Sequence, residues 1–197
     1  MHELEKQNSA LIVEADQILY EYGLLRIIEK YGTPFITGSY TLGMMTRRDL
    51  DVNIETDDMT VKRFFHLGGE IVSALNPRRV LFMNEFISRH QRFPLGLYFG
   101  VQTAIPGCKE EWNIDIWAMN TKQNKGNRQF IAELHSDIDE KKRRLILEIK
   151  TKSLEHPGYQ RKFFSLDIYN AVTKDGIKTA EEFFQWVKEY RNTDLSV

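Results

Sequence analysis

The seven residues "DLDVNIE", Asp49 to Glu55, constrain this chain more than any other stretch. They alternate strictly. Leu50, Val52 and Ile54 point one way, and Asp49, Asp51 and Asn53 point the other, as the period of two of a β-strand requires. Such a strand needs a sheet with one face closed over a core. Its other face then carries two carboxylates side by side, with Cα atoms roughly 6–7 Å apart. Two anions that close repel, and burial aggravates the repulsion. A divalent cation resolves the conflict, and hard oxygen ligands suit Mg²⁺ or Mn²⁺. Taken alone, an Asp-x-Asp pair is a weak signal, more often the mark of a solvent-facing strand.

Two further stretches bear on that choice. Upstream, "FITGSY" reads as a short buried strand opening into a turn at Gly38-Ser39. Glycine lets backbone approach a ligand, and successive N–H groups in a turn make an anion-binding concavity. The Ser39 hydroxyl could donate to a phosphate oxygen. By itself the pair also fits an ordinary strand-ending turn. Downstream, "WNIDIWA" alternates again. Asp115 shares one side with Asn113 and Trp117, and Trp112, Ile114, Ile116 and Ala118 make the other. Between the turn and the first acid, Arg47 and Arg48 could supply charge to phosphate oxygens or form an exposed basic turn.

The remaining pattern sets the architecture. "SALIVEADQILYEYGLLRIIEKYG" is helical, with Ser9 as N-cap, Gly32 as stop, and Gly23 as a break or weak point. "VKRFFHLGGEIVSAL" predicts a helix burying Phe64, Phe65, Ile71, Val72 and Leu75. "RVLFMNEFI", "GLYFGVQTAI" and "EEWNIDIWAM" predict strands. After Lys122 the chain turns helical: one long helix over "NRQFIAELHSDIDEKKRRLILEIKTKSLEH", then "QRKFFSLDIYNAV" and "TAEEFFQWVKEY", the last capped by Thr179 with Glu182 three positions on. The expectation is an α+β fold. A mixed-sheet core occupies residues 1–122, with flanking helices, and a C-terminal helical region occupies 123–197.

The 197 residues carry a net charge of −1. A protein gripping long nucleic acid shows a marked basic excess, so the balance disfavours that partner. Cys108 is the single cysteine; it allows no internal disulfide and no zinc cluster. No apolar run approaches the ~18 residues of a membrane span, and no leader-like segment begins the sequence. The expected location is cytoplasmic.

Together, "FITGSY", "TLGMMTRR", "DLDVNIE" and "NIDIW" resemble the nucleotidyltransferase superfamily with the DNA polymerase β-like fold. That pattern is an apolar strand, Gly-Ser, a short helix, an acid-x-acid strand and a later apolar-acid-apolar strand. The resemblance covers roughly residues 34–119. It implies that Asp49, Asp51 and Asp115 hold Mg²⁺ (or Mn²⁺) and are catalytic. It also implies that Gly38 and Ser39 cradle the phosphates of a nucleoside triphosphate, and that Asp115 activates a hydroxyl on a small-molecule or protein acceptor. Many members carry serine immediately before the first acid, where this chain has Arg48. The reading requires Asp115 to meet the other two acids. A nucleotide-binding pseudoenzyme and a metal-dependent phosphohydrolase are the alternatives. Tyr159, Arg161 and Lys162 after a helix break, and "SRHQRF" from Ser88 to Phe93, are further candidate ligand contacts or plain surface.

Overall fold

The computed structural model describes residues 3–90, 93–108 and 110–190. The fold is α+β. A helix α1 (Glu3–Asp16) passes through a π-helical turn (Gln17–Glu21) into α2 (Leu24–Ile28). Strand β1 (Thr33–Thr37), a single-turn α3 (Gly38–Thr41) and β2 (Asp49–Glu55) follow. Then come α4 (Val61–Leu75), β3 (Arg79–Asn84), a short α5 (Glu85–Ser88), β4 (Leu97–Thr103) and β5 (Trp112–Met119). Four helices close the described chain: α6 (Thr121–Asp137), α7 (Glu140–Leu154), α8 (Ser165–Thr173) and α9 (Ala180–Tyr190).

The five strands form one sheet in the order β1-β2-β5-β4-β3. Neighbours run antiparallel except β2 and β5, which are parallel. The aliphatic residues at alternate positions of β2 and β5, with Phe99 and Val101 of β4, face one side. Leu50, Val52, Ile54, Ile114, Ile116, Phe99 and Val101 are buried there with Leu11, Ala15 and Ile18, with Leu24 and Ile28, and with Phe64, Leu67 and Ile71. Helices α1, α2 and α4 therefore cover that face. Full burial of each such side chain contributes about 1.5–3 kcal/mol, which fixes the register: a slip of one residue would exchange the faces.

The chain divides into two compact units, one spanning Ser9–Ile131, which holds the whole sheet, the other made of the residues up to Asn8 with those from Ala132 onward. In the second, Ile146, Leu147 and Ile149 of α7 are buried, as are Ile168, Ala171, Phe183 and Val187 of α8 and α9. Among the described residues no helix is long and apolar enough to cross a membrane.

Several element boundaries differ from the sequence reading, each for a local reason. Ser9 is not an N-cap, because α1 already runs from Glu3. Gly23 does break the first helical segment. In α4 the buried set is Phe64, Leu67, Ile71 and Leu75, spaced as one helical stripe,. Phe65 and Val72, one position round, are 50% and 44% exposed. The strand expected through "EFI" stops at Asn84, whose side chain accepts the Phe86 N–H at 3.2 Å and starts α5,. The long helix breaks before Glu140, where the Asp139 carboxylate caps the Lys142 N–H at 2.8 Å. The helix expected from Gln160 starts only at Ser165, with the Asp167 carboxylate accepting the Phe164 N–H at 2.8 Å. At α9, Thr179 accepts the Glu182 N–H at 3.1 Å.

Candidate active site

The face of the sheet opposite the buried one carries the acids. Thr37 pairs with Asp51 across β1 and β2, and Asp51 pairs with Asp115 across the parallel β2 and β5. Gly100 of β4 is the partner of Asp115 on its other side. Neighbouring strands lie about 4.8 Å apart, so Asp51 and Asp115 stand side by side, with Asp49 one step along the same face. All three are partly buried. The structure thus brings together the acids of two stretches distant in sequence.

The turn after β1 lies against them. Gly38 has φ +68°, the left-handed region that favours glycine,. A methyl group there would sit 2.0 Å from the Asp51 Oδ2. Gly38 therefore brings backbone into contact with the Asp51 carboxylate, and Ser39 follows as the second residue of α3. That turn is braced from outside: the Tyr40 hydroxyl donates to Asp16 Oδ1 at 2.6 Å, and Thr41 Oγ1 donates to the Ile36 carbonyl at 2.9 Å. Burial first, and then the Asp16 carboxylate, push the Tyr40 phenol well above its ordinary range.

The two arginines separate. Arg47 forms an ion pair with Asp49 on the carboxylate face. Arg48 turns to the opposite face. Its Nε and Nη2 donate to the two Glu14 carboxylate oxygens at 2.7 and 2.8 Å, and its Nη1 reaches Glu110 at 3.1 Å. Trp112 Nε1 donates to the same Glu14 at 3.2 Å. Arg48 thus ties α1 to the start of β2. Cys108 belongs to this cluster as well; burial, and then hydrogen bonding to Glu14, raise its thiol pKa.

Two residues enter the site unforeseen. The Tyr98 hydroxyl donates to Asp115 Oδ1 at 2.6 Å, and its ring packs on Trp117 with centroids 4.8 Å apart. Gly100 leaves room for that hydroxyl. The signal was in "LYFGV": alternation sets Tyr98 and Gly100 on the side opposite Leu97, Phe99 and Val101. Burial raises the Asp115 pKa, and the Asp49 charge adds to it, against the opposing effects of Tyr98 and Arg47. Burial and the charges of Asp115, Asp49 and Asp51 push Tyr98 upward too.

Of the other candidates, Ser88 Oγ bonds the Asn84 carbonyl at 2.9 Å, and Phe93 stands 6.0 Å from Trp117 between ring centroids. Gln91 and Arg92 lie outside the described residues. Tyr159, Arg161 and Lys162 belong to the other unit, in a turn where the Tyr159 hydroxyl and Ser165 Oγ are 2.7 Å apart.

The donor set suits a hard divalent cation: oxygen ligands only, three carboxylates on adjacent strands, and in Asp115 a partly buried acid whose charged form burial disfavours and a cation would favour,. In the conformation seen, Asp49 is turned onto Arg47 and Asp115 onto Tyr98. Among the described residues no group of three or more His, Cys, Asp or Glu side chains is already disposed to hold a metal ion.

No family model matches the sequence, and no curated protein does. The fold does match solved structures. A noncanonical poly(A) polymerase, in the complex GLD-2–GLD-3, superposes with TM-score 0.53 at 16% identity over 87% of this chain and 58% of that one. A cytoplasmic RNA terminal U-transferase gives 0.56 at 11% identity, over 86% of this chain and 53% of that one. The Cid1 poly(U) polymerase, bound to MgATP, gives 0.56 at 12% identity, over 87% and 50%. The chain thus spans between half and three-fifths of the length of these structures. Over that span its fold is the one these polymerase and transferase structures share.

Proposed function

We propose that this chain transfers a nucleoside monophosphate from a nucleoside triphosphate to a hydroxyl acceptor, a small molecule or a protein side chain, releasing pyrophosphate. The observation that carries the reading is the parallel register setting Asp51 beside Asp115, on the face that also holds Asp49.

In this reading Asp49, Asp51 and Asp115 hold Mg²⁺ or Mn²⁺. When bound, the ions neutralise charge on the phosphates and on the attacking and leaving oxygens. The Gly38 N–H and the Ser39 hydroxyl bind the β- and γ-phosphates; the close approach of Gly38 to Asp51 brings phosphate binding and carboxylates into one place. Arg47 moves from Asp49 to phosphate when substrate enters, an exchange of one anion for another. Arg48, held by Glu14, positions the start of β2. Asp115 takes the proton of the acceptor hydroxyl as its oxygen attacks the α-phosphorus. The bond to the β,γ-leaving group breaks, and the Asp115 proton passes on to solvent. Catalysis here is positioning and electrostatics, as phosphoryl-type transfer demands.

The test is incubation of the full chain with each labelled nucleoside triphosphate and Mg²⁺. The acceptor arms are hydroxylated small molecules, cell-extract proteins and an RNA 3′-hydroxyl. Label on an acceptor with release of pyrophosphate is the expected result. Release of phosphate alone would select a phosphohydrolase, and metal-dependent binding with no pyrophosphate would select a nucleotide-binding pseudoenzyme.

A further inference from the structure

We propose that Tyr98 is a positioning residue for Asp115, and that Gly100 is the gap in β4 through which it acts. The proposal rests on the functional reading above for its kinetic half and on geometry for the rest.

Three observations meet at this point. The Tyr98 hydroxyl donates to Asp115 Oδ1 at 2.6 Å across a strand pair. These residues are not direct partners: Tyr98 faces Trp117, and Gly100 faces Asp115. The phenol therefore lies along its own strand, over residue 100, to reach the carboxylate two pairs along the ladder. A Cβ at residue 100 would stand 2.4 Å from the Tyr98 hydroxyl oxygen and 3.0 Å from the ring carbon that bears it. Only glycine leaves that path open. Trp117 closes the arrangement from the other side, its ring 4.8 Å from that of Tyr98. In the pose seen, the tyrosine packs on Trp117 and ends on Asp115.

A half-buried carboxylate with one oxygen tied to a fixed donor loses rotational freedom. Its second oxygen is then held for a cation or an acceptor proton. Outer-shell hydrogen bonds of this kind orient ligating groups, and their removal costs about 10–100-fold in metal affinity or activity. Tyr98 touches neither substrate nor reacting atoms in this scheme; it acts through Asp115.

The experiment uses the full chain as wild type, Tyr98→Phe, Gly100→Ala, the double variant and Asp115→Asn. Mn²⁺ affinity is measured by electron paramagnetic resonance, and pyrophosphate release from ATP and UTP in the presence of the acceptor arms named above gives kcat and KM. Tyr98→Phe is expected to weaken Mn²⁺ binding about tenfold and to lower kcat about 10–100-fold, leaving KM for the triphosphate within about twofold. Gly100→Ala keeps the tyrosine and is expected to reproduce both losses, with little added in the Tyr98→Phe background. It decides the matter if Tyr98→Phe fails to fold. Mn²⁺ affinity and kcat both within about twofold of wild type in the two single variants would overturn the proposal. Wild type without transfer, but with Mn²⁺ binding weakened by Tyr98→Phe, would overturn the functional reading and leave the positioning role standing. Wild type that binds no Mn²⁺ at millimolar concentration would overturn both.

Discussion

The two faces of one sheet make an informative contrast. On one, Leu50, Val52, Ile54, Ile114 and Ile116 are sealed under helices. On the other, the residues between them, Asp49, Asp51 and Asp115, meet a glycine turn, an arginine and a tyrosine. The same backbone supports both, so the difference lies in side chains alone. The apolar face holds the register, and the register brings the carboxylates together. Stability and chemistry can thus be altered separately by substitutions one residue apart.

The strongest test of that separation is Asp51→Asn. Nucleotidyl transfer is expected to fall by about 10³-fold, with the melting temperature little changed because no packed apolar group is lost. Initial rates and thermal melts on one preparation check it; a collapse of stability would mean the acids are structural. The converse is Ile116→Ala on the buried face. It is expected to cost about 3 kcal/mol of unfolding free energy, from lost burial plus the cavity left behind, while the folded fraction keeps its turnover. Denaturant titration beside an activity assay measures both.

Gly38→Ala addresses the point where the turn and the acid face touch. The alanine methyl would meet Asp51 Oδ2 at 2.0 Å in a left-handed backbone. A loss of about 2 kcal/mol in stability is expected from the backbone conformation, together with roughly tenfold slower transfer as Asp51 is pushed aside. The smallest effect is expected at Glu14→Gln, on the covered side, at about 1–2 kcal/mol near neutral pH. Burial works to raise the Glu14 pKa, but Arg48, Cys108 and Trp112 together hold it below its usual 4.5. A depressed carboxylate contributes stability above its unfolded pKa and loses it as pH falls through the folded one. The gap between wild type and Glu14→Gln should therefore be full at neutral pH and close below about 4.5. Urea midpoints across that range measure it.

Much of this was legible in the residues. Period two in "DLDVNIE" and "NIDIW" marked the two strands and assigned each side chain to a face, because burying apolar residues on one side leaves little freedom. What alternation could not supply was the partner of each strand. Nothing local states that Asp51 lies opposite Asp115 rather than several residues away; that follows from how two distant segments pair. The split between Arg47 and Arg48 was hidden for the same reason: it depends on Glu14 arriving from α1. Tyr98 escaped notice because a phenol on a polar strand face is ordinary until its neighbour proves to be glycine. The break before Glu140 was masked by a strong helical stripe that a single capping aspartate interrupts.

The order of the sheet has a consequence for how the protein comes into being. Strand β5, the last to be synthesised, occupies the middle, between the β1-β2 and β4-β3 pairs. Each pair can assemble locally and β5 can add to β4, its neighbour in sequence, but the β1-β2 pair joins the rest only when β5 meets β2, a contact of long sequence separation that forms slowly,. A nascent chain, or one cut between β4 and β5, carries the first two aspartates yet lacks the third. The three carboxylates therefore come together only with the final strand, all at once.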